Sequence, residues 1–578
     1  MTEDIERYDY IMKKKAIPVL VALLLIVVIG GVSLGKLYFD KYSYSKEMAD
    51  LDAYFGVSGD ESAIVLQDEL VDEKAILRDG SYYLDLDTVH KYLNEAFYAD
   101  RGEKLLLYAT PTDVIRVNFG ENSYTAAAGV ETTDYIVAFE EGDEVYIAMD
   151  YVKLFTNYSY ESFERHLQVY TQWGSRETAE TTKVTLVRER GGVNSAILRE
   201  VAQGETVEIL ERMENWSRVK TSDSLIGYIE NKRLTAATQW EETPVTEYEE
   251  PEYTDRLLEG KVSLGFHAIG GMGGNDTLES MVSGTKGMKV IAPTWFSLND
   301  ADGNFRSFGS GDYVNRAHNL GLQVWGVLDD FNYKLESGAT FDDYTILSST
   351  AKRQHLVAGI IDTAVSLGMD GINIDFEKVN SETGEHFVQF LRELSVGCRN
   401  SGLVLSVDNY VPFQFNDYYR LDVQGQILDY VIIMGYDEHW HGSKEPGSVA
   451  SINYVSNGLE RTVQEVPANK VINAVPFYTI VWRTENEDVT DEYLTMNKTE
   501  SYLGGVDATI QWDEETGQNY AEWTSGSAFY QIWLEDEASI GEKLNAMNAH
   551  QVGGVAVWRL GYGTPGVWDM LNNYVNVP

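Results

Sequence analysis

Eight short apolar runs separated by helical patterns occupy residues 261–558, and this rhythm constrains the fold more than any other feature of the chain. The runs are residues 261–266, 289–295, 323–328, 371–377, 403–409, 430–436, 471–478 and 554–558. Strands that alternate with helices in this way predict a parallel (β/α)8 barrel. Between the third and fourth runs, residues 345–367 carry Ile360, Ile361, Ala364 and Leu367 on one helical stripe, and residues 386–398 do the same after the fourth. A barrel of this kind places its chemistry at the C-terminal strand ends, so the residues closing each run are the ones to read.

The fourth run belongs to the stretch Gly-Met-Asp-Gly-Ile-Asn-Ile-Asp-Phe-Glu at 368–377. Alternation puts Asn373, Asp375 and Glu377 on one face and Ile372, Ile374 and Phe376 on the other. Such a polar face is costly to bury without partners, and an edge strand with one wet face is the plain alternative. The neighbouring runs argue for a site, because they also close on polar or aromatic tips. These tips are Trp295, then Asn409 and Tyr410, then Met434, Tyr436 and Asp437, then Tyr478, and last Trp558. The stretch 368–377 resembles the D-G-x-D-x-D-x-E signature of family 18 glycoside hydrolases, the chitinase-like barrels, and Met-Gly-Tyr-Asp at 434–437 resembles the family's M-x-Y-D motif. One departure stands out. Asn373 replaces the usual middle Asp, as it does in many spore-cortex and cell-wall members. The resemblance spans residues 260–578.

That resemblance implies a glycosidase for β-1,4-linked N-acetylglucosamine polymers that retains configuration by substrate assistance. The acetamide of the sugar attacks the anomeric carbon, an exception to the two-carboxylate scheme of most glycosidases. Glu377 is the expected general acid and then base, Asp375 orients the acetamide N–H, and Tyr436 bonds the acetamide oxygen. The side chains of 375 and 377 would lie about 6.5–7 Å apart along the strand. Burial and the Asp375 charge should raise the Glu377 pKa. Asn373, Asp370, Met434, Asp437, Asn409, Tyr410, Tyr478, Trp558, Trp440 and Trp295 are the expected sugar-binding residues. Asn373 can donate to Asp375 but cannot take up its charge, so an altered pH dependence is expected. His439 and His441 form an H-x-H pair without a converging ligand set, so neither a metal nor a cofactor is expected. Trp482, Trp512 and Trp523 fall in the long segment between the seventh and eighth runs, and the resemblance implies that this segment forms an extra α+β lobe or cleft wall.

The N-terminal half needs its own arguments. Residues 16–35 are uncharged, long enough to span a bilayer, and follow Lys13, Lys14 and Lys15. Positive-inside orientation puts residues 1–15 in the cytoplasm and the rest of the chain outside. The run exceeds a usual signal-peptide core and lacks an A-x-A site, which favours an uncleaved single-pass anchor over a cleaved leader. Residues 50–157 read as a small α+β domain, weakly similar to the N-terminal domain of some copper amine oxidases and of bacterial wall proteins. Residues 182–236 resemble a bacterial SH3-like barrel, a module that commonly binds wall peptides or glycans. Residues 237–258 are rich in Glu, Thr, Pro and Tyr and read as an acidic linker. The net charge of -46 opposes nucleic acid, and the lone Cys398 excludes an internal disulfide. These features suit the outside of a Gram-positive-type cell, with peptidoglycan preferred over chitin as substrate. Two alternatives stay open here: an inactive glycan-binding barrel in wall or spore organisation, and a morphogenetic scaffold.

Overall fold

The computed structural model describes residues 2–241, 243–331 and 342–576. Residues 1, 242, 332–341 and 577–578, which fall in the expected tail, linker and barrel, lie outside the described residues. The chain forms two compact units. One comprises Met1–Glu95, Gly120–Asn122 and Thr133–Glu250, and the other Ala96–Phe119, Ser123–Thr132 and Pro251–Pro578.

The second unit is built on a ring of parallel strands. These are β1 (Val262–His267), β2 (Val290–Pro293), β3 (Gln323–Asp329), β4 (Gly371–Asp375), β5 (Val404–Tyr410), β6 (Tyr430–Met434), β7 (Val471–Pro476) and β8 (Gly554–Trp558). Their order is β2-β1-β8-β7-β6-β5-β4-β3, and β2 pairs with β3 to close the ring. Closure leaves the barrel strands no free edge. Helices α1 (Asp343–Leu347), α2 (Thr350–Leu367) and α3 (Gly384–Ser401) flank β4 in the chain. Ser349 caps α2 by accepting from the Lys352 N–H, and Gly368, in the left-handed region at φ 74°, ends it just before β4. Ile372, Ile374 and Phe376 are buried in the apolar layer around the ring, where Phe376 stacks flat on Phe390 of α3 at 5.6 Å.

Two further sheets belong to this unit. Between β7 and β8, five antiparallel strands from Tyr478–Glu485 to Ala528–Leu534 form the inserted lobe around Val481, Leu494, Ala521 and Trp523. Trp482 is fully buried there, its indole N–H on the Gly447 carbonyl at 2.8 Å, whereas Trp512 is partly exposed. The other sheet comes from far upstream. Strands Phe97–Asp100, Leu105–Ala109, Val114–Asn118, Ser123–Ala126 and Gly129–Thr132 dock on the barrel helices. Asp100 accepts from the Thr350 N–H and hydroxyl at 2.7 Å each, an anion at a helix start where the backbone favours one. Tyr98 bonds His386 at 2.7 Å, and Arg399 donates to the Pro111 carbonyl at 3.1 Å. Residues 50–157, read from sequence as one domain, therefore divide between the two units. Contacts 250 to 288 residues apart in sequence leave no local signal.

The first unit holds two seven-stranded sheets. In one, Ser81–Asp85 and Glu144–Ala148 pair antiparallel and each runs into a short helix, which accounts for the similar order of those two stretches. The other contains the five SH3-like strands, flanked by Ser175–Glu180 and Thr238–Glu241. The start of the expected linker is thus a paired strand. Phe55, Val57, Ala63 and Val65 share one core with Val187, Leu198, Val219 and Ile229, so the sheets are packed together. Helix Thr2–Tyr42 contains Pro18–Tyr38, which is long and apolar enough to cross a bilayer and is not buried by protein.

Candidate active site

The ladder of β4 stops at Asp375, and the alternation continues two residues past it to Glu377. A cavity of about 130 Å3 opens at this mouth. Asp375, Glu377, Asp408 and Tyr410 line it from β4 and β5. Met434, Tyr436, Asp437 and Trp558 line it from β6 and β8, with Phe266 and Phe331 completing the wall. Seven of the residues expected from sequence are thereby brought together.

Each polar group in the cavity has a definable environment. The Tyr410 hydroxyl donates to Glu377 Oε2 at 2.5 Å. Asn373 is fully buried and its Nδ2 donates to Ser406 Oγ at 3.0 Å and to Asp408 Oδ1 at 3.1 Å. Asn373 thus bonds across to β5, and its own Oδ1 and Asp375 Oδ1 are buried with no hydrogen-bond partner. The Tyr478 hydroxyl donates to Asp437, which places Tyr478 behind the lining. Tyr436 and Tyr478 meet edge to face at 6.4 Å.

Burial dominates the electrostatics. It pushes the Asp375 carboxyl well above the ordinary range, and the Asp408, Glu377 and Asp330 charges add to it. Burial also raises Glu377, offset by the Tyr410 hydrogen bond and reinforced by Asp330 and Asp437. Asp408 is pushed up to about 8 by burial, against the Asn373 hydrogen bond that favours its anion. The net direction for Glu377 is upward, toward holding its proton to higher pH than an exposed glutamate does.

Four expected site residues lie elsewhere. Asn409 exchanges two 2.9 Å hydrogen bonds with Gln424 of the helix Leu421–Ile427, away from the cavity. Adjacent residues on a strand face opposite ways, so Asn409 and Tyr410 cannot both point inward. Trp295 lies beyond the end of β2, buried against Tyr313, with its indole N–H on Asn275 at 2.8 Å. Asp370 precedes β4, at the opposite end of the barrel, and accepts from the Val324 N–H at 2.8 Å beside His318. Trp440 is exposed outside the cavity lining. His439 bonds the Ser448 carbonyl and His441 bonds Asp491, so each imidazole has its own partner.

Sequence reasoning does not reach Phe266, Phe331 or Asp408, and Asp408 is the polar one of the three. The signal was present in Ser-Val-Asp-Asn-Tyr: once Tyr410 faces inward, Asp408 must as well. Its raised pKa gives a stability prediction. A carboxyl that ionises near 8 folded and near 4 unfolded favours folding at acid pH, and that contribution is lost as pH rises toward 8. The thermal midpoint of the barrel should fall between pH 5 and 8.5, with a shallower fall in Asp408→Asn. Equal slopes in a calorimetric pH series would refute the assignment.

Residues 337–563 match the family model "Glycosyl hydrolases family 18", and residues 184–235 match "Bacterial SH3 domain". An uncharacterized glycosylase of Bacillus subtilis (strain 168) is 25% identical over 259 residues, which is 43% of this chain and 74% of that protein. The cortical fragment-lytic enzyme of Bacillus anthracis is 26% identical over 252 residues, 41% of this chain and 57% of that protein. A solved structure of the Bacillus cereus spore cortex-lytic enzyme is similar at 21% identity and a TM-score of 0.49, over 58% of this chain and 79% of that one. The chain spans between 55% and 59% of the length of several curated relatives. The C-terminal part of this chain carries a family 18 glycosyl hydrolase domain over residues 337–563, and residues 184–235 carry a bacterial SH3 domain.

Proposed function

We propose that the barrel hydrolyses β-1,4 linkages of N-acetylglucosamine-containing glycan with retention of configuration, and that peptidoglycan is its preferred substrate. The observation that carries this reading is the shared cavity of Asp375, Glu377 and Tyr436, with Glu377 held by Tyr410. Glu377 protonates the leaving oxygen. The substrate's acetamide oxygen then closes on the anomeric carbon, and Asp375 bonds the acetamide N–H and offsets its positive charge. Tyr436 orients the acetamide oxygen for that attack. Glu377, now anionic, takes a proton from water as the ring intermediate opens. Trp558 supplies an apolar surface on which a sugar ring can stack.

The preference for peptidoglycan rests on the SH3 module and on relatives whose names describe cortex lysis. Product analysis tests it. Mass spectra of digested peptidoglycan and of N-acetylglucosamine oligomers should show cleaved glycan, and de-N-acetylated oligomers should resist. Equal cleavage of acetylated and de-acetylated chains would exclude substrate assistance.

Residues 18–38 anchor the protein in the membrane in this reading, with the barrel outside the cell. Removing residues 1–42 should move the protein from the membrane to the soluble fraction, and a protein that stays with the membrane would count against the anchor.

A further inference from the structure

Glu377 lies beyond the last ladder bond of β4, so side chains rather than strand pairing must hold the backbone around it. Two do so. The buried Tyr419 hydroxyl donates to the Phe376 carbonyl at 3.0 Å. On the other side, the Lys378 N–H donates to Asp330 Oδ2 at 2.7 Å, and Lys378 Nζ returns to the Asp330 carbonyl at 2.7 Å. Asp330 is fully buried just after β3, and Asp343, at the start of α1, is 3% exposed. Among the described residues no N–H or hydroxyl reaches Asp330 Oδ1 or either Asp343 oxygen, and the two carboxyls stand close enough for one proton to be shared between them. Two buried carboxyls in contact cannot both be ionised, so one of them keeps its proton. In keeping with this, burial and then the Asp330 charge push Asp343 up to about 8.

We propose that Asp330 is a positioning residue for the reaction: steadied by Asp343, its carboxylate grips the Lys378 peptide and so sets where Glu377 stands at the barrel mouth. This rests on the reading of Glu377 as general acid. Asp330 makes no contact with the cavity lining's acid itself. Its charge adds to the raised Glu377 pKa, and its hold on the position of that acid runs through the Lys378 peptide.

The test uses the full chain in mild detergent, with steady-state kinetics on N-acetylglucosamine oligomers and amide hydrogen exchange at Lys378. Asp330→Ala should lower kcat about 10- to 100-fold, the cost of a small misplacement, with KM within about threefold of the parent. The Lys378 amide should lose protection in the same variant. Asp330→Asn keeps an acceptor oxygen for that amide, and its NH2 donates to Asp343 in place of the shared proton. It should restore both kcat and protection to within about threefold of the parent. In a Glu377→Gln background, Asp330→Ala should cost no further turnover. An unchanged kcat in Asp330→Ala, or an Asp330→Asn as impaired as the alanine, overturns the proposal. Should the parent itself fail to cleave the oligomers, the proposed function fails, while the exchange measurement still decides whether Asp330 holds the Lys378 peptide.

Discussion

Glu377→Gln is expected to lower kcat on N-acetylated glycan by about 10²- to 10⁴-fold, the range that general acid–base catalysis supplies. Gln keeps the size of the side chain and can still accept from the Tyr410 hydroxyl, so the cavity should survive the change. What it loses is the transferable proton. Two of the other cavity carboxyls do not stand in for it, since Asp408 is tied to Asn373 and Asp437 to Tyr478, and the third, Asp375, is the one assigned to the acetamide. KM should change little, because the lost interaction is made in the transition state. Turnover within about threefold of the parent, measured on the same oligomers, would remove Glu377 from the mechanism.

Arg353→Ala should destabilise the barrel unit by about 3–5 kcal/mol, the cost of stranding a buried charge. Arg353 is fully buried on α2, and its Nε and Nη2 donate to Glu393 Oε1 at 3.1 and 3.0 Å. The same guanidinium reaches the Leu347 carbonyl at 2.5 Å, Thr350 Oγ1 at 3.1 Å and, across to the upstream sheet, the Tyr98 hydroxyl at 3.1 Å. Without it, Glu393 keeps the Gln389 amide at 3.0 Å in a setting where burial already opposes its charge. Arg353→Met with Glu393→Leu should recover most of the loss, since an apolar pair leaves no charge unmatched. Urea unfolding of the three proteins checks this, and a loss below about 1 kcal/mol in Arg353→Ala would show that the pair is dispensable. The same network joins the upstream strand Phe97–Asp100, through Tyr98, to helices α2 and α3, which bracket β4. The upstream sheet therefore supports the strand that carries the site.

The barrel was legible because each of its strands is an apolar run of strand length, separated from the next by a helical or irregular segment. Reading strand ends then found most of the cavity, since Glu377, Tyr410, Tyr436 and Trp558 are the tips of four different strands. The errors have physical reasons. Phase along β5 is ambiguous in Ser-Val-Asp-Asn-Tyr until one inward residue is known, so the sequence alone does not choose between Asp408 and Asn409. Trp295 and Trp440 lie in loops, where no periodicity predicts direction, and Asp370 precedes its strand rather than closing it. Asp330 and Asp343 are brought together by tertiary packing alone, and so is the docking of residues 96–132. Asn373 illustrates a different point. Its identity was plain in the sequence, but its bonds across to Ser406 and Asp408 became visible only with the neighbouring strand in place.

The most direct test of the central idea follows the anomeric proton of freshly released product by time-resolved NMR, before mutarotation. A nucleophile borrowed from the sugar's own N-acyl group, with Glu377 serving as acid and then base, requires the β anomer to appear first. Initial release of the α anomer would mean that water attacks directly from the opposite face, and the mechanism set out here would be contradicted.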